Sequence, residues 1–402
     1  MPAVTVDRRP SLWLIYSITV TGVTVNTLVA PALPDILAGL DVGARMAGLV
    51  VAAASAPGIL LAPAIGLLAD RFGRREVLVP CLVIFGVSGG LVAVSTNVWM
   101  LVALRFAQGV GSAGLINLAV VLIGDHWEGT ERVRMMGRNA AVLTVAVAAF
   151  PLLGGALTDL GGWEAPFLLY PLSLITAAVA LRGLPRSPTL DVRTRDQVVE
   201  AWPYVRTARI LGTFVAGILV MVLIFGLFFT VLPLYVERAF GLGPTARGLV
   251  LTLPALTSTL SSLALGRMES AAGRRRVLVG SAGLFAVSLG MVAAVPALWA
   301  LAVGVLVFGF GQGILIPALQ DVAASAAPDH SRGTLVALWV SAVRLGQTVG
   351  PLIASPVFAR LDGPATFAAG SVLSIAMGVG FAFGGRGSGR ARDRTLPPAP
   401  VG

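Results

Sequence analysis

Twelve apolar runs of about twenty residues recur along almost the whole of this 402-residue chain, and they constrain its fold more than any other feature. They cover Leu12–Ala30, Met46–Ala69, Val77–Ser95, Trp99–Ile123, Asn139–Leu157 and Pro166–Leu181. After an interval follow Ile210–Tyr235, Gly248–Leu265, Val277–Val295, Trp299–Gln320, Thr334–Phe358 and Ala365–Phe383. At 1.5 Å per residue each run is near the length needed to cross about 30 Å of hydrocarbon. Charged residues make up 12% of the chain, about half the share of a soluble domain, so the solvent for most of the chain is lipid. Unbroken runs, unlike alternating ones, exclude strands, and open sheet edges fail in lipid. The expectation is an all-α polytopic membrane protein with about 12 transmembrane helices in two pseudo-symmetric six-helix bundles. Its 48 glycines and 25 prolines suit close helix packing in a membrane.

Charge placement orders the segments. Residues 1–10 read as an N-terminal tail, 11–181 as the first bundle, 182–209 as a polar linker, 210–385 as the second bundle, and 386–402 as a disordered basic tail. All 29 basic residues are arginine. With the N-terminus in the cytoplasm, about 23 of the 29 fall on the inner side, whereas Arg45, Arg238, Arg247 and Arg360 fall outside. Both termini are therefore expected to be cytoplasmic, in the inner (plasma) membrane. The net charge of +10 is spread in short groups beside the spans, which argues against nucleic acid as a partner. Arg8 and Arg9 precede a run too long for a signal peptide, and Pro31 blocks cleavage after Ala30. The single cysteine, Cys81, lies in a span and rules out an intrachain disulfide framework.

The halves echo one another. Gly66–Arg75 reads GLLADRFGRR and Gly266–Arg275 reads GRMESAAGRR, with Ser270 in place of Asp70 but Glu269 beside it. Gln108-Gly109 recurs as Gln312-Gly313, which sets Gly309 opposite Arg105, and Leu33-Pro34 recurs as Leu232-Pro233. Such parallel repeats are a transporter construction. The segment Gly66, Asp70, Arg71, Gly73, Arg74 and Arg75 resembles the GxxxDRxGRR/K signature of the major facilitator superfamily, in the loop between its second and third helices. Leu104-Arg105-Phe-Ala-Gln108-Gly109-Val-Gly111 resembles that family's RxxQGxG pattern in the fourth helix. Pro151, Gly154 and Gly155 resemble the later part of the antiporter pattern GPxxGG, with Phe150 where it has Gly. Within that family the chain resembles the 12-helix drug:proton antiporter group. In the eleventh span, Arg344, Gly346, Gln347, Gly350 and Pro351 put a second charge beside a GxxxG face.

The resemblance implies a cavity lined by helices 1, 4, 7 and 10. Asn26, Gln108, Asn117, Gln312, Gln320 and Gln347 become candidate polar contacts, Phe225, Phe228, Phe229 and Trp339 apolar ones, and Arg105 and Arg344 the charges. An arginine cannot release a proton, but it can hold a carboxylate. No acid lies at the middle of a span, both histidines (His126 and His330) fall in loops, and Asp35 is the best placed coupling acid. The expected function is secondary active transport of a small molecule by a monomer in the lipid bilayer, as proton-coupled efflux of drug-like or amphiphilic compounds. The mixed inventory favours neutral-to-anionic over strongly cationic substrates. Proton-coupled uptake of a nutrient is the alternative, and a non-transporting receptor or scaffold a distant one. There is no catalytic Ser/His/Asp set, metal cluster or GxxxxGK[ST] loop, so neither an enzyme nor a cofactor or metal requirement is expected.

Overall fold

The structure, a computed structural model, describes residues 9–184, 205–325 and 329–383. Most of the linker over 182–209, the basic tail over 386–402, and the side chains of His330 and Arg332 lie outside the described residues. Ten helices follow the apolar runs: α1 Leu12–Gly39, α2 Ala44–Phe72, α3 Arg74–Val94, α4 Val98–His126, α5 Gly129–Gly161, α6 Ala165–Gly183, α7 Ile210–Phe240, α8 Pro244–Ala272, α9 Arg274–Ala294 and α10 Leu298–Ser325. The last helical stretch, Asp329–Phe383, would measure about 82 Å if unbroken, more than twice a bilayer core. Asp362 breaks it at φ 78°, ψ −177°, giving α11 (329–361) and α12 (363–383). The Asp362 carboxylate accepts the Ala365 N–H at 3.1 Å, an N-terminal cap that starts α12. The described residues thus hold twelve helices long and apolar enough to cross a bilayer. The helices outrun the apolar runs because they continue into both interfaces; α5 begins ten residues before Asn139, through the exposed arginines Arg132 and Arg134.

The internal repeat holds a constant offset. Backbone φ is positive at Asp41 and Gly241, at Gly73 and Gly273, and at Gly162 and Asp362, each pair 200 residues apart. Gly73 and Gly273, at φ 102° and 81°, are each the only residue between two helices, a turn that an L side chain adopts only with strain. Packing repeats likewise. Gly109 of α4 lies against the Ala54 carbonyl of α2, and Gly309 of α10 against the Pro254 carbonyl of α8. Gly111 meets Phe85 and Cys81 as Gly311 meets Phe285 and Ser281. The recurrence of Gln-Gly at an offset of 204 is therefore not the structural equivalence. Arg105 corresponds to Val305 rather than Gly309, and Gln108 to Phe308. The interiors differ accordingly. The second half stacks Phe228 on Phe308 and Phe308 on Phe285, with centroids at 5.3 and 4.3 Å. The first half carries polar groups at the corresponding depth.

Candidate functional site

Because the helices alternate in direction, the turns at 73 and 273 share one end of the molecule, the basic end, and those at 41, 162, 241 and 362 share the opposite end. The two halves meet along two equivalent seams that close toward the opposite end. On one, a Cβ added to Gly48 of α2 would strike the Pro351 carbonyl of α11; on the other, a Cβ on Gly248 of α8 would strike the Pro151 carbonyl of α5. Both expected prolines thus present main-chain oxygen to a glycine of the other half, and Gly155 lies likewise on the Pro244 carbonyl. Ser355 ties the first seam, donating to the Ala44 carbonyl at 2.8 Å and accepting from the Gly48 N–H at 2.8 Å. On the second, the Asp159 carboxylate accepts the Thr245 N–H at 2.9 Å, and Thr252 donates to the Ala148 carbonyl at 2.7 Å. Gly154, Gly346 and Gly350 serve packing inside each half, against Leu28 of α1 and against Ile218 and Val222 of α7.

Among the described residues one ion pair joins the two halves at this end. Arg247 of α8 donates to Asp35 of α1 at 2.7 Å. Arg247 is 2% exposed, and its Nε and Nη1 have no partner, while Asp35 is 35% exposed. The expected coupling acid therefore sits in a contact between the halves, opposite a buried cation that the sequence reading had placed in an outer loop.

At the basic end each half closes a charge cluster of its own. Arg74 donates to Asp70 one turn earlier and, at 3.0 Å, to Asp125 at the end of α4. Arg274 donates to Glu269 at 2.9 Å and to Asp321 of α10 at 2.7 Å. Glu269 thus fills the place that Ser270 leaves empty, and the second half keeps its latch. Arg75 donates to the Leu184 carbonyl at 3.5 Å, fastening α3 to the end of α6. Arg71 is exposed over the Phe72 ring, and a Cβ at Gly66 would meet open space.

The charge expected to face a cavity at Arg105 is instead sealed inside the first half. Its guanidinium donates to Gln108 and to Asn26, each at 2.7 Å, and Asn26 donates to Ser55 at 3.1 Å. Arg105 and Gln108 are 0% exposed. Gly109 and Gly111 hold one side of α4 against α2 and α3, which turns Arg105 toward α1 and α6, where Tyr170 donates to the Thr24 carbonyl at 3.1 Å. No carboxylate pairs with Arg105 among the described residues, and its Nε has no partner.

Arg344 differs. It lies near the middle of α11, where a Cβ on Gly58 of α2 would come to 3.0 Å of its Cδ, so it borders both halves. It is half-buried and donates to Gln347 at 3.2 Å. Asn117 is exposed midway along α4, Gln312 is half-buried and Gln320 exposed. Phe228, Phe229 and Trp339 are buried packing residues, whereas Phe225 is partly open. Among the described residues no group of three His, Cys, Asp or Glu side chains could hold a metal.

A family model for the Major Facilitator Superfamily matches residues 12–248 and 216–400. The chain is 27% identical over 359 residues to the bacillibactin exporter of Bacillus subtilis (strain 168), covering 84% of this chain and 86% of that one. It is 26% identical over 341 residues to the class B tetracycline resistance protein of Escherichia coli, covering 82% and 84%. Among solved structures it resembles a bacterial homolog of the human lysosomal transporter Spinster, in an inward-facing and unoccupied conformation. The TM-score is 0.72 at 16% identity, over 93% of this chain and 94% of that one.

Proposed function

The chain belongs to the Major Facilitator Superfamily, and we propose that it is a proton-coupled efflux carrier of the plasma membrane for drug-like or amphiphilic compounds. The observation that carries this reading is the pair of equivalent seams. Glycine of one half lies on proline carbonyl of the other toward one end, while the charge clusters of the basic end each close within a single half. Two rigid bundles, 11–181 and 210–385, tipping about such seams give alternating access to a central site. The arginine count supports a cytoplasmic basic end, and on that reading the conformation described is closed to the outside. The exporter and resistance relatives support outward transport. A proton on Asp35 would remove the charge that holds Arg247, tying the opening of the outer end to protonation. The working unit is the monomer, since both seams and the ion pair lie within one chain.

Purified protein in liposomes acidified inside tests this. Gradient-dependent accumulation of a tetracycline or a lipophilic dye, abolished by a protonophore, is expected. In liposomes acidified outside instead, accumulation of hydrophilic nutrients, with proton and solute moving the same way, would overturn export.

A further inference from the structure

Three arginines lie deep in the helical bundle, and they differ in what their donors can reach. Arg105 is enclosed by Gln108 and Asn26. Arg247 is enclosed and paired with Asp35. Arg344 has one hydrogen bond, to Gln347, and its remaining N–H groups are not among the buried atoms that lack a partner. They are open to a mobile species. Arg344 stands about 22 Å along α11 from its basic-end start at Asp329 and faces α2 across the boundary between the halves, so a ligand there touches both. The Gln347 amide approaches only the Met221 sulfur, at 3.8 Å, a weak acceptor, and remains free to donate. Soft and aromatic surface adjoins it from α7, with Met221 followed one turn later by the partly open Phe225. The acids of the described helices (Asp35, Asp70, Glu76, Asp125, Glu131, Asp159, Glu237, Glu269, Asp321 and Asp329) all stand near helix ends. A cationic substrate would thus find no counter-charge at mid-depth, while Arg344 lacks one of its own.

We propose that Arg344 and Gln347 form an anion-recognising site at the boundary of the two halves, and that the transported compounds are amphiphilic anions with a carboxylate or sulfonate on an apolar, aromatic body. This deepens the efflux reading and rests on it for the word transported, but not for binding. An unpaired guanidinium at this depth is costly, and an anionic group that accepts its forked donors relieves the cost. Arginine is suited to this because its planar fork meets two oxygens at once.

The test is fluorescence anisotropy with two xanthene dyes of opposite charge, fluorescein and rhodamine 6G, on purified full-length protein. Wild type is expected to bind fluorescein more tightly than rhodamine 6G. Arg344→Gln should weaken fluorescein binding at least about tenfold. Arg344→Lys, which keeps the charge and loses the fork, should fall between. Arg360→Gln removes the same formal charge at an exposed position near the far end of α11 and should bind as wild type does. Equal fluorescein affinity in wild type and Arg344→Gln, or a preference of wild type for rhodamine 6G, would overturn the site. The dye preference needs no variant, so it decides the matter even where Arg344→Gln fails to fold. Arg344-dependent binding without gradient-driven flux in liposomes would leave the site standing and sink the transport reading instead.

Discussion

Replacing Asp35 by Asn should loosen the outer end by an amount that the geometry bounds. The Arg247–Asp35 contact is 2.7 Å, and Arg247 is 2% exposed with two further N–H groups that nothing accepts. Removing the partner of a fully buried ion costs about 3–5 kcal/mol, whereas an exposed pair contributes about 0.2–1 kcal/mol. Asp35 is about a third exposed, so solvent screens it, and the loss should be about 1–2 kcal/mol. That changes the ratio of open to closed outer end by roughly five- to thirtyfold. Spin labels at Ala38 and Ala239, both exposed beside the turns at 41 and 241, report the separation of the halves there by pulsed dipolar spectroscopy in nanodiscs. Buried Cys81 is first replaced by Ala. The population at longer distance should grow in Asp35→Asn and grow little further in Asp35→Asn with Arg247→Leu. An unchanged distance distribution, or fully additive effects of the two substitutions, would refute the latch.

Valine at Gly248 should also favour the open outer end, because its Cβ would occupy the position of the Pro151 carbonyl; rising thiol reactivity of a cysteine placed beside that seam checks this. Asn26→Leu takes an acceptor from a guanidinium that is already short of one and should cost about 2 kcal/mol, read as a lower melting temperature in detergent. At the basic end, Asp70→Asn should destabilise more than Glu269→Gln. Arg74 is 14% exposed and Arg274 36%, so the first pair is less screened; thermal unfolding of the two variants side by side gives the order.

Helix number and order were legible in the sequence because a lipid solvent forces unbroken apolar runs of nearly fixed length. The break between α11 and α12 was legible too, since Leu361-Asp362-Gly363-Pro364 interrupts the last two runs. Side-chain direction was not. RxxQGxG shows that Arg105 and Gln108 share a face of α4, but which neighbour that face meets depends on how Gly109 and Gly111 seat against α2 and α3. Arg247 read as an outer loop residue because the apolar run begins at Gly248, whereas Pro244 in the first turn starts α8 one turn earlier and carries Arg247 into the contact. Two-residue echoes are too short to fix a repeat register. The contacts of Gly309 and Gly311 fix it, and they show Phe308 where the first half has Gln108. At Glu269, a shift of one residue at a helix end still brings a carboxylate to Arg274, which a comparison by position cannot reveal.

The seams at the end opposite the basic one are made mostly of uncharged groups, glycine backbone lying on proline carbonyls and the Ser355 and Thr252 hydroxyls on alanine carbonyls. Such surfaces do not sense ionic strength, and raising the salt concentration leaves their adhesion nearly unchanged. Asp35 with Arg247, and Asp159 at the Thr245 amide, are the charged groups described across this joint. Any dependence of outer closure on electrolyte is therefore a readout of those two carboxylates, taken against a mechanical background that stays constant.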